Sequence, residues 1–345
     1  MTGLKFFLIG LTISLSLFAV LNAGELKLED FLLSQLYLPS DTFLAQISNG
    51  NLFEKSLPTF DIAARSALVL KVKSNGQQTV LFDKSSSQEL AIASLTKLMT
   101  AVVSLENQPL SQEVEISSTS VSQEGNSGNL KVGERIMVKE LLKMALIESS
   151  NDAAEALAEV SGREEFVVLM NLKSKELGLR STYFSTPTGL EAENNFSTAR
   201  DLANLMIFIL KNHPFILEIS AQPSVIILSE NDRPHHRAFN TNELLTSFAG
   251  IDNLKIVGGK TGYTDEAGGC IILVTKDQNG DYLIYLVLGA DSQESRFSEL
   301  KKLIKAFNRN ALFRPLFRRH QNFNRRHPGF HYRLGLVRAA DSFSL

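Results

Sequence analysis

A mixed α+β fold is predicted, with one sheet built from both ends of a central region and a helical insert beside it. Three observations point there. Strand signals open the region, at Ala67-Leu68-Val69-Leu70-Lys71-Val72 and Thr79-Val80-Leu81-Phe82. Strand signals close it, at Val225 to Leu228, Ile271 to Thr275 and Leu283 to Leu288. Helical periodicity fills the middle.

The opening strands flank Ser74-Asn75-Gly76-Gln77, a strand–turn–strand signal. The run from Ala91 to Val103 is apolar almost throughout and reads as a helix with little exposed face. Residues 104–135 are polar and rich in Gly and Ser, with a strand-like piece at Glu113-Val114-Glu115-Ile116. Val138 to Ile147, Asp152 to Val160 and Leu202 to Leu210 read as helices. Gln278-Asn279-Gly280-Asp281 turns the last two strands into a hairpin, and Arg296 to Phe307 is a closing helix.

The 345 residues suffice for a full core, and the net charge of −2 belongs to ordinary globular protein. A single cysteine, Cys270, excludes an internal disulfide and any cysteine-based metal cluster. The histidines (213, 235, 236, 320, 327 and 331) show no metalloprotease spacing, and His235-His236 falls in a Pro/Asn/Asp-rich turn that reads as exposed loop.

The ends differ from the middle. Residues 1–23 read as a signal peptide, with Lys5 before the apolar stretch Phe6 to Leu21 and a small-residue cleavage site at Leu21-Asn22-Ala23. The alternative is an uncleaved N-terminal anchor, and either reading places the working part outside the cytoplasm, in the periplasm or its equivalent. Residues 24–59 form an N-terminal segment with Pro39 and Pro58. Residues 309–345 hold eight Arg, no Lys and one acid, Asp341, so they carry +7 and leave −9 on residues 1–308. They read as a basic, poorly ordered tail suited to anionic lipid or wall polymer. The catalytic domain is expected over residues 60–308.

Three short patterns carry the chemistry. The first is Ser94-Leu95-Thr96-Lys97. On a helix, residues three apart are neighbours on one face. Burial favours the neutral amine of a lysine, and a neutral amine beside a hydroxyl is a base beside a nucleophile. Ser298-Glu299-Leu300-Lys301 has the same spacing but lies in a charged amphipathic helix, where a solvated serine is expected. The second is Ser149-Ser150-Asn151, between two helices, where helix capping explains the same residues. Ser127-Gly128-Asn129 and Ser229-Glu230-Asn231 also fit it. The third is Lys260-Thr261-Gly262, in an extended segment. A phosphate loop would need glycine at 254, where Leu254 stands, and a helix where a strand signal follows. A strand edge with a lysine, a hydroxyl and a glycine instead suits an anionic, extended peptide.

Ser-x-x-Lys, Ser-x-Asn and Lys-Thr-Gly in this order are the signature of penicillin-recognising serine enzymes. The flanks extend the match: Ala93 to Thr100, Gly133-Glu134 through Ser149 to Ala154, Thr186-Pro187-Thr188-Gly189-Leu190-Glu191, Thr198 to Ala203 and Lys260 to Thr264. Over about residues 60–308 the chain resembles the serine-type D-alanyl-D-alanine carboxypeptidases, the low-molecular-weight penicillin-binding proteins. It departs from them at Ser150, where Gly is usual and a hydroxymethyl would crowd the site, and at Tyr263, where His is common. Cys270 follows the glycine pair, and no counterpart is expected for the C-terminal β-domain and membrane helix of some members.

The resemblance implies a β-lactamase/transpeptidase-like fold, a mainly antiparallel sheet flanked by helices with a helical subdomain. It implies a hydrolase that trims the terminal D-Ala of peptidoglycan stem peptides, with β-lactam antibiotics as covalent inhibitors. Ser94 is then the nucleophile, Lys97 the base, Ser149 the proton relay and Asn151 the holder of Lys97 and the substrate amide. Lys260 supplies positive potential and Thr261 binds the terminal carboxylate, with Gly262 beside it. Arg296 matches a family arginine near that carboxylate, the plain alternative being a surface arginine. The backbone N–H groups of Ser94 and Tyr263 form the oxyanion hole. No metal, cofactor or nucleic acid is implied. Three rivals share the motifs: an endopeptidase on peptide cross-links, a class A β-lactamase and an inactive wall-binding module. For the β-lactamase, the nearest candidate glutamates, Glu191 and Glu193, lack the usual surroundings.

Overall fold

The computed structural model describes residues 61–307 apart from 126, 191–193 and 248–254. The readings for residues 1–23, 24–59 and 309–345 lie outside the described residues, as do those for Glu191 and Glu193.

The ends of the described region share one antiparallel sheet. Strand β1 (Ser66–Val72) pairs with β2 (Gln78–Lys84) on one side and with β11 (Tyr282–Ala290) on the other, from Ser66 opposite Leu288 to Val72 opposite Tyr282. Strands β10 (Gly268–Lys276) and β9 (Lys255–Thr264) complete the order β2-β1-β11-β10-β9. All neighbours run antiparallel, and β9 is an edge.

The middles of the central strands, Ala67 to Leu70, Cys270 to Val274 and Leu283 to Leu288, run without a charged residue because both faces are covered. Side chains alternate across a sheet with period two, and β11 divides accordingly. Ile284, Leu286 and Leu288 face the helical insert, while Leu283, Tyr285 and Val287 pack with Leu300, Leu303 and Ile304 of the closing helix Ser295–Phe307. Each fully buried aliphatic side chain contributes about 1.5–3 kcal/mol.

The insert supplies the helices Lys97–Asn107, Val138–Ile147, Asn151–Glu159, Arg163–Glu176, Ala199–Asn212 and Pro214–Ser220. Every residue from Lys97 to Ser104 is buried, as the missing polar face of that run requires. Ser150 and Thr198 cap their helices by accepting from Ala153 and Asp201 N–H, and Pro214 stands in a first turn, where its missing N–H costs nothing. Arg163–Glu176 is absent from the sequence reading because only a narrow stripe, Phe166, Met170 and Ser174, is buried. Four minor strands make two short pairs, β3 (Leu90–Ala91) with β6 (Phe196–Ser197) and β4 (Glu113–Glu115) with β5 (Arg135–Met137). A hairpin of β7 (Ser224–Leu228) and β8 (Pro234–Phe239) leans on the insert.

Two expectations are corrected. The helix expected from Ala91 begins only at Lys97. Leu90–Ala91 is strand, and Ala93–Thr96 is a tight 3-10 turn entered through Ala93 at φ 47. His235 and His236 are not loop residues but lie in β8, part-buried against glutamates of the insert.

Candidate active site

The tight turn does what a regular helix turn was expected to do: Ser94 Oγ lies 2.8 Å from Lys97 Nζ. Lys97 is wholly buried, and burial lowers its pKa from 10.5 to about 7. Its other contacts are Asn151 Oδ1 and the Thr188 carbonyl, both at 2.7 Å. The Asn151 amide is oriented by its own Nδ2, which donates to the Glu124 carbonyl at 2.6 Å. Both of these Lys97 contacts are therefore acceptors only. A neutral Lys97 has two N–H bonds and one lone pair. The two N–H groups satisfy Asn151 and Thr188, and the lone pair is left facing the Ser94 hydroxyl.

The wall behind Lys97 is Thr186-Pro187-Thr188-Gly189. Thr188 supplies the carbonyl to Lys97, and Pro187 accepts from Thr100 Oγ1 at 2.6 Å. Gly189 has φ 79, and a Cβ there would run into the Ala93 carbonyl, next to the nucleophile. Only glycine meets both conditions.

Ser149 stands across the cavity. Its backbone has φ 65, a left-handed conformation that costs a non-glycine residue about 1–3 kcal/mol. Lys260 Nζ donates to Ser149 Oγ at 2.8 Å and to the Thr261 carbonyl at 2.9 Å. Ser150 does not crowd the site. Its side chain is fully buried and turned away, accepting from Ala153 N–H at 3.1 Å. Room for it comes from Gly128, where a Cβ would stand 2.7 Å from Ser150 Oγ.

Strand β9 runs past the nucleophile with Gly262 as the point of contact: a Cβ there would lie 2.9 Å from Ser94 N. Arg296 is buried, so the surface reading of it fails, and its guanidinium donates to the Gly262 carbonyl at 2.9 Å. Tyr263 is 41% exposed and its hydroxyl reaches Asp265 at 3.2 Å. Ser94, Ser149, Asn151, Thr261, Tyr263 and Arg296 line one cavity of about 250 Å³, with the two lysines behind its wall.

Burial also governs the other two cations of the site. Burial, with Lys97 and Arg296 close by, holds Lys260 well below the ordinary lysine range. Burial brings Arg296 only down to about 10, so the guanidinium remains the cation at neutral pH.

Thr241 was missing from the sequence reading. It lines the cavity, and its hydroxyl meets that of Thr261 at 2.6 Å. Nothing in Asn240-Thr241-Asn242 marks it, since its partner lies twenty residues on. The Thr188 carbonyl was likewise unmarked, because a backbone group carries no residue signature. Among the described residues no His/Cys/Asp/Glu group could hold a metal ion.

A buried lysine base on a serine, in a cleft bounded by an edge strand, defines the penicillin-recognising class of acylating serine enzymes. The family model for D-alanyl-D-alanine carboxypeptidase matches residues 52–292, and the chain belongs to that family. It is 36% identical over 265 residues to the D-alanyl-D-alanine carboxypeptidase DacF of Bacillus subtilis, covering 75% of this chain and 65% of that protein. It is 32% identical over 247 residues to the D-alanyl-D-alanine endopeptidase of Pseudomonas aeruginosa, covering 70% of this chain and 76% of that one. Among solved structures it is similar to an ampicillin-bound penicillin-binding protein of Listeria monocytogenes. That match has 31% identity and a TM-score of 0.63, over 73% of this chain and all of the other. A Streptomyces DD-transpeptidase matches with 28% identity and a TM-score of 0.65, over 72% of this chain and 98% of the other.

Proposed function

We propose that the protein is a serine D-alanyl-D-alanine carboxypeptidase that removes the terminal D-Ala from peptidoglycan stem peptides. One observation carries this reading: the lone pair of a buried Lys97 has no partner available but the Ser94 hydroxyl. Ser94 Oγ attacks the carbonyl carbon of the penultimate D-Ala as its proton passes to Lys97. The developing oxyanion is taken by the N–H groups of Ser94 and Tyr263, each such donor being worth about 3 kcal/mol. The C–N bond then breaks, and the departing amine takes a proton through Ser149, which is held by Lys260. Arg296 and Thr261 attract and seat the terminal carboxylate. Water repeats the sequence on the ester, with Lys97 as base, and frees Ser94.

Cleavage of cross-links by the same acyl-enzyme is the second reading, favoured by the endopeptidase name of the Pseudomonas relative. The reading as an exported enzyme rests on the apolar stretch after Lys5, and attachment to membrane or wall rests on that stretch or on the arginine-rich tail. β-Lactams would acylate Ser94 as substrate mimics.

The test is labelling by a fluorescent penicillin beside Ser94→Ala, with D-Ala release from a pentapeptide and splitting of a cross-linked dimer into monomers. Stable label on the wild type only, with release from the pentapeptide, is expected. Splitting of the dimer alone makes the protein an endopeptidase, rapid drug turnover without label makes it a β-lactamase, and neither label nor turnover leaves a wall-binding module.

A further inference from the structure

Ser220 ends the helix Pro214–Ser220 and has no part in the reaction above. It is buried, and its hydroxyl is engaged on both sides. The hydroxyl donates to the Leu217 carbonyl at 3.3 Å and accepts Gly259 N–H at 3.1 Å. The Ser220 carbonyl accepts from Asn240 Nδ2 at 3.0 Å, one residue before Thr241. One buried serine thus ties the edge strand β9 to the segment that carries Thr241.

The bond to Gly259 falls where β9 is least defined by its own sequence. The ladder with β10 shifts there. Thr275 stands opposite Ile256 and Val274 opposite Gly258, so Val257 is an extra, bulged residue. Gly258 and Gly259 follow, and a strand without side chains specifies its register weakly. The helix end fits closely against them: a Cβ on Gly258 would stand 2.7 Å from Ser220 Oγ.

Register matters because everything after the bulge serves the site. From Gly258 to Thr264 the pairing runs unbroken. Side chains alternate between faces, so Lys260 and Gly262 share one. Lys260 Nζ reaches Ser149 Oγ at 2.8 Å, and Gly262 passes close to Ser94 N. Backbone N–H groups alternate in the same way. That of Gly259 points off the sheet to Ser220. Those of Thr261 and Tyr263 therefore leave by the same edge, beside the cavity that both residues line. A slip of one residue would turn Lys260 away from Ser149 and Tyr263 N–H back toward β10.

We propose that Ser220 is a positioning residue for the oxyanion hole: by holding Gly259 N–H beside the bulge, it fixes the register that sets Tyr263 N–H against Ser94. The proposal rests on the reading of Ser94 as nucleophile and of Tyr263 N–H as oxyanion donor.

The experiment compares Ser220→Ala with the wild type, both as the full chain, by two readouts. One is the second-order acylation rate with fluorescent penicillin. The other is the infrared band of the ester carbonyl in the penicillin acyl-enzyme, taken as a difference against Ser94→Ala. Hydrogen bonds from the oxyanion hole lower the frequency of that band. Ser220→Ala should slow acylation about ten- to a hundredfold, the scale of a misplaced donor in a catalytic site, and should move the band to higher frequency. A lower melting temperature with rate and band unaltered means that Ser220 only packs, and overturns the proposal. Slowed acylation with the band in its wild-type place overturns it too, because the loss then lies outside the oxyanion hole. If Ser220→Ala fails to fold, Ser220→Cys reads the same band, since a thiol is the weaker acceptor. A wild type that neither labels nor releases D-Ala overturns the functional reading and this one together. A labelled wild type with an unaltered variant overturns this one alone.

Discussion

Lowering the pH from 8 to 5 should slow acylation of Ser94 at least about a hundredfold. The reacting species is the neutral Lys97 amine, whose pKa burial lowers to about 7. At pH 8 about nine in ten molecules hold it neutral, and at pH 5 about one in a hundred. The rate should fall about tenfold per pH unit below 6. The assay is stopped-flow or gel-based labelling with a fluorescent penicillin, with circular dichroism at each pH to exclude unfolding. A rate that falls less than tenfold between pH 8 and 5 would refute the argument. So would a midpoint near 10, because Lys97 would then be an ordinary ammonium ion and some other group the base.

Further outcomes follow from individual contacts. The unfolded chain binds a proton on Lys97 that the folded chain lacks between about pH 7 and 10. Urea stability should therefore rise with pH there, by up to about 1.4 kcal/mol per unit, and Lys97→Met should lose most of that slope. Gly189→Ala should cost about 2 kcal/mol or more and nearly abolish labelling, since a Cβ meets the Ala93 carbonyl and displaces the Thr188 carbonyl that Lys97 needs; a fully labelled variant would contradict this. Ser150→Ala should lower stability by about 1 kcal/mol through the lost helix cap while labelling at the wild-type rate. Thr241→Val should raise KM for the pentapeptide several-fold with little change in kcat, the loss of about 1 kcal/mol from an unpaired Thr261 hydroxyl.

Several elements were legible because their cause is local. The all-apolar run Leu283–Leu288 can only be a strand covered on both faces, and it became the middle of the sheet. Val138–Ile147 was readable to the residue from its periodicity. Ser-x-x-Lys was legible as a pair because three residues of helix or of tight turn both bring the side chains together, which is why the wrong local geometry still led to the right neighbours. Arg163–Glu176 and β8 were not legible. The first buries too narrow a stripe, and the second hides its pairing behind two histidines and a proline that resemble a turn.

By itself the sequence determined the fold class and the order of the three motifs, since apolar periodicity and residue type survive without coordinates. Which groups act on Lys97 was decided only by tertiary structure. The acceptors that turn its lone pair on Ser94 are a side chain 54 residues away and a backbone carbonyl 91 residues away. The lowered pKa of Lys260 was decided there too, because desolvation depends on what surrounds an amine and not on the residues beside it in the chain. The role of Ser150 is the same kind of fact: whether its hydroxymethyl blocks the cavity depends on which way the helix that it caps is turned.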